Sequence, residues 1–163
     1  MRRFTIILAL LAVAAVSPSA ALGKANGTDR PSSGKSSSTT TVDLATGTGS
    51  VVGSGQLSHI GSFTFTNDNT SFTLTGPDTF SLTLTAVVVA ANGDEIYTTA
   101  TGTGTLTPTG SETTLVSTIT GGTGRFAGAS GTLTSKITSV TVSVVGTTVT
   151  NQDTEIHEGR ISY

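Results

Sequence analysis

The chain has 163 residues, of which only 11% are charged, 5% are aromatic and none is cysteine. A disulfide scaffold and thiolate-bound metals are thereby excluded. The formal charge is −2 and no cluster of Lys or Arg occurs, so nucleic acid is excluded as a partner, because phosphate neutralisation needs several clustered cations.

The first 23 residues read as a secretory signal peptide. Arg2 and Arg3 give a positive start, Phe4 to Val16 is a 13-residue run that is apolar except for Thr5, and Pro18 ends it before small residues. The run is shorter than the roughly 20 residues a spanning helix needs. Cleavage is expected after Ala21 or Gly23. With no cysteine available for lipidation, the expectation is a secreted protein, extracellular or periplasmic, with no membrane anchor after processing. Without Arg2 and Arg3, 6 basic residues remain against 10 acidic ones, a net of −4.

Residues 24–41, KANGTDRPSSGKSSSTTT, contain no large apolar side chain. Such a composition predicts a flexible Ser/Thr/Gly-rich linker. The folded domain is then expected over residues 42–163, enough for one core.

Within that domain β-branched residues dominate, and apolar residues alternate with polar ones rather than recurring at helical spacing. Residues 50–67 predict two strands or one long bent strand, and Ser71 to Thr75 a short one. From Phe80 onward, Phe80, Leu82, Leu84, Ala86, Val88 and Ala90 share one face. After Asn92-Gly93, Thr99, Thr101, Thr103, Thr105, Thr107 and Thr109 form a polar ladder on the opposite parity. Asn-Gly between two alternating runs predicts a hairpin with a type I′ turn. Further strands are expected at Glu112 to Thr120, Thr132 to Val145 and Val149 to Tyr163. A change of parity near Ser139 suggests a bulge that keeps Val140, Val142 and Val144 on the apolar face. The sum is an all-β domain of about eight antiparallel strands. Long one-sided strands with interior glycines favour a closed barrel, which has no free edges.

ITGGTGRFAGASGTL, Ile119 to Leu133, superficially matches a dinucleotide-binding loop as Gly122-x-Gly124-x-x-Ala127. That chemistry needs a following helix and an acidic residue about 20 positions on. Another strand pattern follows instead, and Val144, Val145 and Gly146 occupy the acid's place. The alternative is a barrel corner. Gly121, Gly122 and Gly124 would allow positive φ or close approach, Arg125 would bond loop carbonyls or a carboxylate, Phe126 would plug the end, and Gly128 would let the chain re-enter the sheet.

GGTGRFAGASGTL resembles the GGTG-[KR]-F turn of plant dirigent proteins and the glycine-rich turn of allene oxide cyclases. A wider group of uncharacterised secreted bacterial proteins looks closer still. Their features match here as SHIGSFT (Ser58 to Thr64), AANGDEIY (Ala90 to Tyr97) and ITGGTGRFAGASGTLT (Ile119 to Thr134). The resemblance implies an eight-stranded antiparallel barrel of the calycin kind. It also implies assembly into homo-oligomers, since plant relatives of this fold often form trimers. It carries over no catalytic residue, because the matching positions are turns and packing sites.

Residues with chemistry are few. His59 reads either as a proton donor or metal ligand, or as a histidine bonded to a neighbouring loop. Glu155 and His157 are two apart, so strand geometry puts them on one face with Asp153. Carboxylates with imidazole can bind a divalent ion, but their polar neighbours point to a solvated face, and no metal or cofactor is expected. Asp94 and Glu95 are adjacent, hence on opposite faces. Cysteine and G-x-S-x-G are both absent, so no nucleophile is assigned.

Three functions remain open. The first is noncatalytic binding of a small apolar ligand, lined or plugged by Phe63, Phe65, Phe72, Phe80, Leu82, Leu84 and Phe126. The second is a cofactor-free cyclase- or dirigent-like protein that guides a reactive intermediate. The third is an extracellular surface or matrix interaction protein. A purely apolar cavity would favour the first, convergent buried acids the second, and a barrel filled by its own side chains the third.

Overall fold

The computed structural model describes residues 27–163; the signal-peptide segment lies outside them. The strands are β1 (Arg30–Asp43), β2 (Thr48–Leu57), β3 (Gly61–Leu74), β4 (Thr79–Ala90), β5 (Glu95–Thr107), β6 (Gly110–Gly122), β7 (Ser130–Val145) and β8 (Thr148–Ser162). Each pairs antiparallel with the next, and β1 pairs with β8, so the sheet closes as an up-and-down barrel.

The segment expected to be a linker forms β1 from Arg30 onward, and the domain therefore begins about a dozen residues earlier than residue 42. Composition misleads here for a physical reason. The buried positions of β1 are Ser32, Ser36, Ser38 and Val42, so the strand buries hydroxyls where most strands bury apolar groups. The Ser36 and Ser38 hydroxyls meet the polar groups that β8, the neighbouring strand, buries at Asp153, Glu155 and His157, while Ser32 donates to Ser58 O.

Three further expectations are corrected. Ser71 to Thr75 is no separate strand but the end of β3, which continues through an irregularity between Thr66 and Ser71. At Asn92-Gly93 only Gly93 takes positive φ, and Gly93 N–H donates to Ala90 O, which closes a turn over Ala90 to Gly93 that is not type I′. The irregularity of β7 falls between Thr141 and Ser143, later than Ser139, which leaves Val140 and Val142 on the outside. The threonine ladder does face solvent at Thr99, Thr101, Thr103 and Thr105.

The two barrel ends differ. At one end the β2–β3, β4–β5 and β6–β7 turns converge on a core of Leu57, Ile60, Phe63, Ala90, Ile96, Ile119, Phe126, Ala129 and Ile161. The β6–β7 turn makes a single 3₁₀ turn at Gly124–Phe126 and drops Phe126 into this core, where it is 0% exposed. Gly121 and Gly124 take positive φ (145° and 52°). Gly122 serves instead for close approach, because a Cβ there would strike Glu95 O and Phe126.

Arg125 locks this cap. Its Nη2 donates to Ile60 O at 2.8 Å, its backbone N–H donates to Asp94 Oδ2 at 3.1 Å, and its guanidinium lies 4.5 Å from the Phe126 ring centre. The Tyr163 ring packs edge-on against Phe126, and its hydroxyl donates to His59 O. At the opposite end, the short β1–β2, β5–β6 and β7–β8 turns carry no comparable plug.

Candidate functional site: a two-sided barrel interior

Between the cap and the far end lies a cavity of about 790 Å³. It exists because the interior rings lie over glycines. Phe65 faces Gly53 across β3 and β2, and Phe80 faces Gly104 across β4 and β5. A Cβ on either glycine would overlap the opposing ring. With the rings seated on bare backbone, the centre of the barrel stays open.

One wall is apolar. Phe63, Phe65 and Phe72 on β3, and Phe80, Leu82 and Leu84 on β4, all line the cavity. Six of the seven proposed lining residues are thus brought together. Phe126 is the exception: it sits beneath the cavity floor as the plug. Leu44, Leu74, Leu106 and Val144 form a rim at the open end, each at least 40% exposed while still facing the cavity.

The opposite wall, on β7, β8 and β1, carries the buried polar groups, with Leu133, Ile137 and Val42 beside them. The expected solvated face for Asp153, Glu155 and His157 is overturned: all three point inward and are no more than 9% exposed. Strand parity puts them on one side of the sheet, and the pairing of β8 with β1, over the segment expected to be a linker, decides that this side is inside.

The polar contacts form a connected row. Ser38 Oγ lies 2.7 Å from Glu155 Oε1 and 3.1 Å from Asp153 Oδ2, which also accepts from Thr40 Oγ1. Ser38 has one proton and two carboxyl partners. A protonated Glu155 resolves this, donating to Ser38 while Ser38 donates to Asp153. Burial pushes the Glu155 carboxyl in that direction, above the usual carboxylate range; the Ser38 and Ser36 hydroxyls pull it down, and the charge of Asp153 pushes it up again.

His157 is held between Ser36 Oγ at Nε2 and Ser135 Oγ at Nδ1, both at 2.7 Å. Burial lowers its pKa, which favours the neutral ring. One serine then donates to it and the other accepts, so the imidazole ties β1, β8 and β7 together. Its Nε2 is 3.7 Å from Glu155 Oε2, too far for a hydrogen bond.

Two buried polar atoms facing this space have no partner among the described residues, Asp153 Oδ1 and Asn67 Nδ2. The Asn67 amide orientation is fixed because its Oδ1 accepts from Asn69 N–H and Thr70 Oγ1. No group of three or more His, Cys, Asp or Glu among the described residues is arranged to hold a metal ion.

His59 is far from this chemistry. It is exposed on the β2–β3 turn at the capped end, with φ of 70°, and its Nε2 donates to Pro31 O at 3.1 Å. The turn residues Asn92, Gly93 and Arg125 belong to the same cap. The Asp94 carboxylate accepts from Asn92 Nδ2 and the Arg125 N–H and fills the space beside Gly124.

No protein-family model matches this chain, and neither a curated protein nor a solved structure matches it.

Proposed function

We propose that the protein binds a small, largely apolar molecule inside the barrel. The observation that carries this reading is the 790 Å³ cavity itself, closed at one end by the core around Phe126, walled on one side by phenylalanines and leucines, and rimmed by exposed apolar residues. A volume of this order suits a drug-sized ligand, and apolar walls with a few convergent polar groups are the usual composition of such sites. The unfilled interior argues against a purely surface-interaction role.

A second reading, cofactor-free catalysis on a reactive intermediate, is favoured by one specific observation: Asp153, Glu155 and His157 converge in the cavity, with Glu155 biased toward its acid form and His157 toward its base form. The leader-like N-terminus supports secretion. The closed eight-stranded barrel and its GGTGRF corner support kinship with the dirigent and allene oxide cyclase barrels.

The test is native mass spectrometry of protein purified from its source, together with titration of 1-octanol against the wild type and Ala86→Trp. Ala86 lines the cavity, so the indole should fill it and reduce octanol binding at least tenfold. Equal binding by both proteins would place the ligand elsewhere and defeat the proposal.

A further inference from the structure

The polar wall restricts the chemistry of the ligand, provided the cavity is the binding site proposed above. We infer that the ligand is an amphipathic amine, with its apolar body against β3 and β4 and its ammonium group against Glu155 and Asp153 on β8.

The strand order makes this division of the interior possible. In a ring of eight strands, β4–β5 lies diametrically opposite β8–β1. The phenylalanines that line the cavity stand on β3 and β4, at the first side, and the carboxyl groups on β8, at the second. A molecule crossing the cavity therefore meets an apolar surface at one end and acids at the other.

The donor count of the second wall selects the head group. Asp153 and Glu155 offer four oxygens. The hydroxyls beside them on β1 are Ser36, Ser38 and Thr40, with one proton each, and Ser36 is engaged with His157; Ser139, paired with Asp153 across β7 and β8, makes no hydrogen bond to either acid among the described residues. Acceptors thus outnumber donors. Among the described residues Asp153 Oδ1 has no partner, and beyond Ser38 the Glu155 carboxyl has near it only the Ser36 hydroxyl, engaged with His157, and His157 Nε2 at 3.7 Å. No lysine or arginine lines the cavity among the described residues. The wall lacks donors and lacks positive charge, and an ammonium group supplies up to three of the former and one unit of the latter. A carboxylate ligand would add acceptors and negative charge to a wall that already has an excess of both. An alcohol would supply a single proton and no charge.

The desolvation of two acids in an enclosed space gives this preference its strength. Opposite charges attract far more strongly there than in water, and an unpaired carboxylate is costly. Neither acid is needed to hold the barrel shut, because the β1–β8 ladder runs through fourteen residue pairs from Arg30↔Ile161 to Asp43↔Thr148.

The experiment compares three probes of equal chain length, octylamine, 1-octanol and octanoate, by isothermal titration calorimetry on the full secreted chain. Octylamine should bind at least tenfold more tightly than 1-octanol, and octanoate most weakly. Asp153→Asn, which keeps side-chain size and removes the charge, should weaken octylamine about tenfold, Glu155→Gln, which resembles the protonated acid, should weaken it less, and both should leave 1-octanol within twofold. If octylamine binds the wild type no better than 1-octanol, the amine assignment is overturned while the apolar-ligand reading stands. If none of the three binds, that reading fails and this one with it. The wild-type ranking decides the matter even if neither variant folds.

Discussion

The carboxylate of Asp94 occupies the space that a side chain on residue 124 would need. A Cβ on Gly124 would overlap Asp94 Oδ1, and Gly124 also takes φ of 52°. Two independent obstacles thus fall on one residue. Gly124→Ala should destabilise the barrel by about 1–3 kcal/mol from backbone strain alone, with more lost as Asp94 is displaced from the Arg125 amide. Urea unfolding of the two proteins measures this, and a change below about 0.5 kcal/mol, the range of ordinary surface substitutions, would show that the corner is not so tightly constrained.

Phe126 closes the capped end by filling space, and Arg125 holds it there through Ile60 O and the face of the ring. Phe126→Ala should cost about 3–5 kcal/mol, the usual penalty for removing a buried aromatic ring. Arg125→Ala should cost less, because the guanidinium is partly solvated and neutral bonds can take its place. The same unfolding measurement ranks the two, and the reverse order would assign the cap to Arg125.

Much of this fold was legible because it rests on local rules. Alternation located β4 to β8, and the glycine cluster marked the corner before β7, since positive φ and close approach both demand glycine. The illegible parts were those in which tertiary pairing overrides composition. Ser36 and Ser38 look like linker residues until His157 and Glu155 are known to need them, and Glu155 and His157 look solvated until β1 is known to cover them. Each half of the polar wall is explained only by the other. Asp94 was equally hidden, because its partner Arg125 lies 31 positions away.

Stability should respond to pH through two buried groups with opposite signs. Glu155 has its pKa raised in the fold, so the native state holds a proton that the unfolded chain has released; stability falls as pH rises from the ordinary glutamate value toward the raised one. His157 has its pKa lowered, so the unfolded chain takes up a proton first; stability falls as pH drops below the ordinary histidine value toward the lowered one. Thermal melts between pH 4 and pH 8 of the wild type and Glu155→Gln separate the two. The two slopes oppose each other between the ordinary glutamate and histidine values, so the variant should lose the decline with rising pH and show stability that rises more steeply with pH in that window. An unchanged profile would mean that Glu155 titrates alike in both states.

The rings seated over glycines make a distinct prediction for the cavity. Gly104→Ala would push the Phe80 ring inward, because the new Cβ meets the ring end. Overpacking of this kind costs about 1–3 kcal/mol, and the displaced ring also takes space from the ligand. Octanol affinity and stability should therefore fall together. Thr103→Ala, on the outward ladder of the same strand, should alter neither. Loss of stability with full affinity would mean that Phe80 moves away from the cavity rather than into it.

Removal of residues 24–41 distinguishes a strand from a linker most directly. A flexible tether could be deleted with no effect on the domain it carries. Here the deletion takes Arg30 to Thr41 out of a strand that ends at Asp43, and so breaks the ladders to both β2 and β8. Two long edges would be left unpaired, on a sheet rich in valine and threonine, which favours edge-to-edge association. The same cut strips Ser36, Ser38 and Thr40 from His157, Glu155 and Asp153, leaving buried polar groups without partners. The truncated chain should fail to give a cooperative unfolding transition and should aggregate on size-exclusion chromatography. A peptide of residues 27–43 added in trans should restore a monodisperse barrel, because register and hydroxyls return together. Recovery should fail with a peptide carrying Ser36→Ala and Ser38→Ala if the hydroxyls matter as much as the backbone ladder. A truncated chain that melts like the full one would return the segment to the status of a tether.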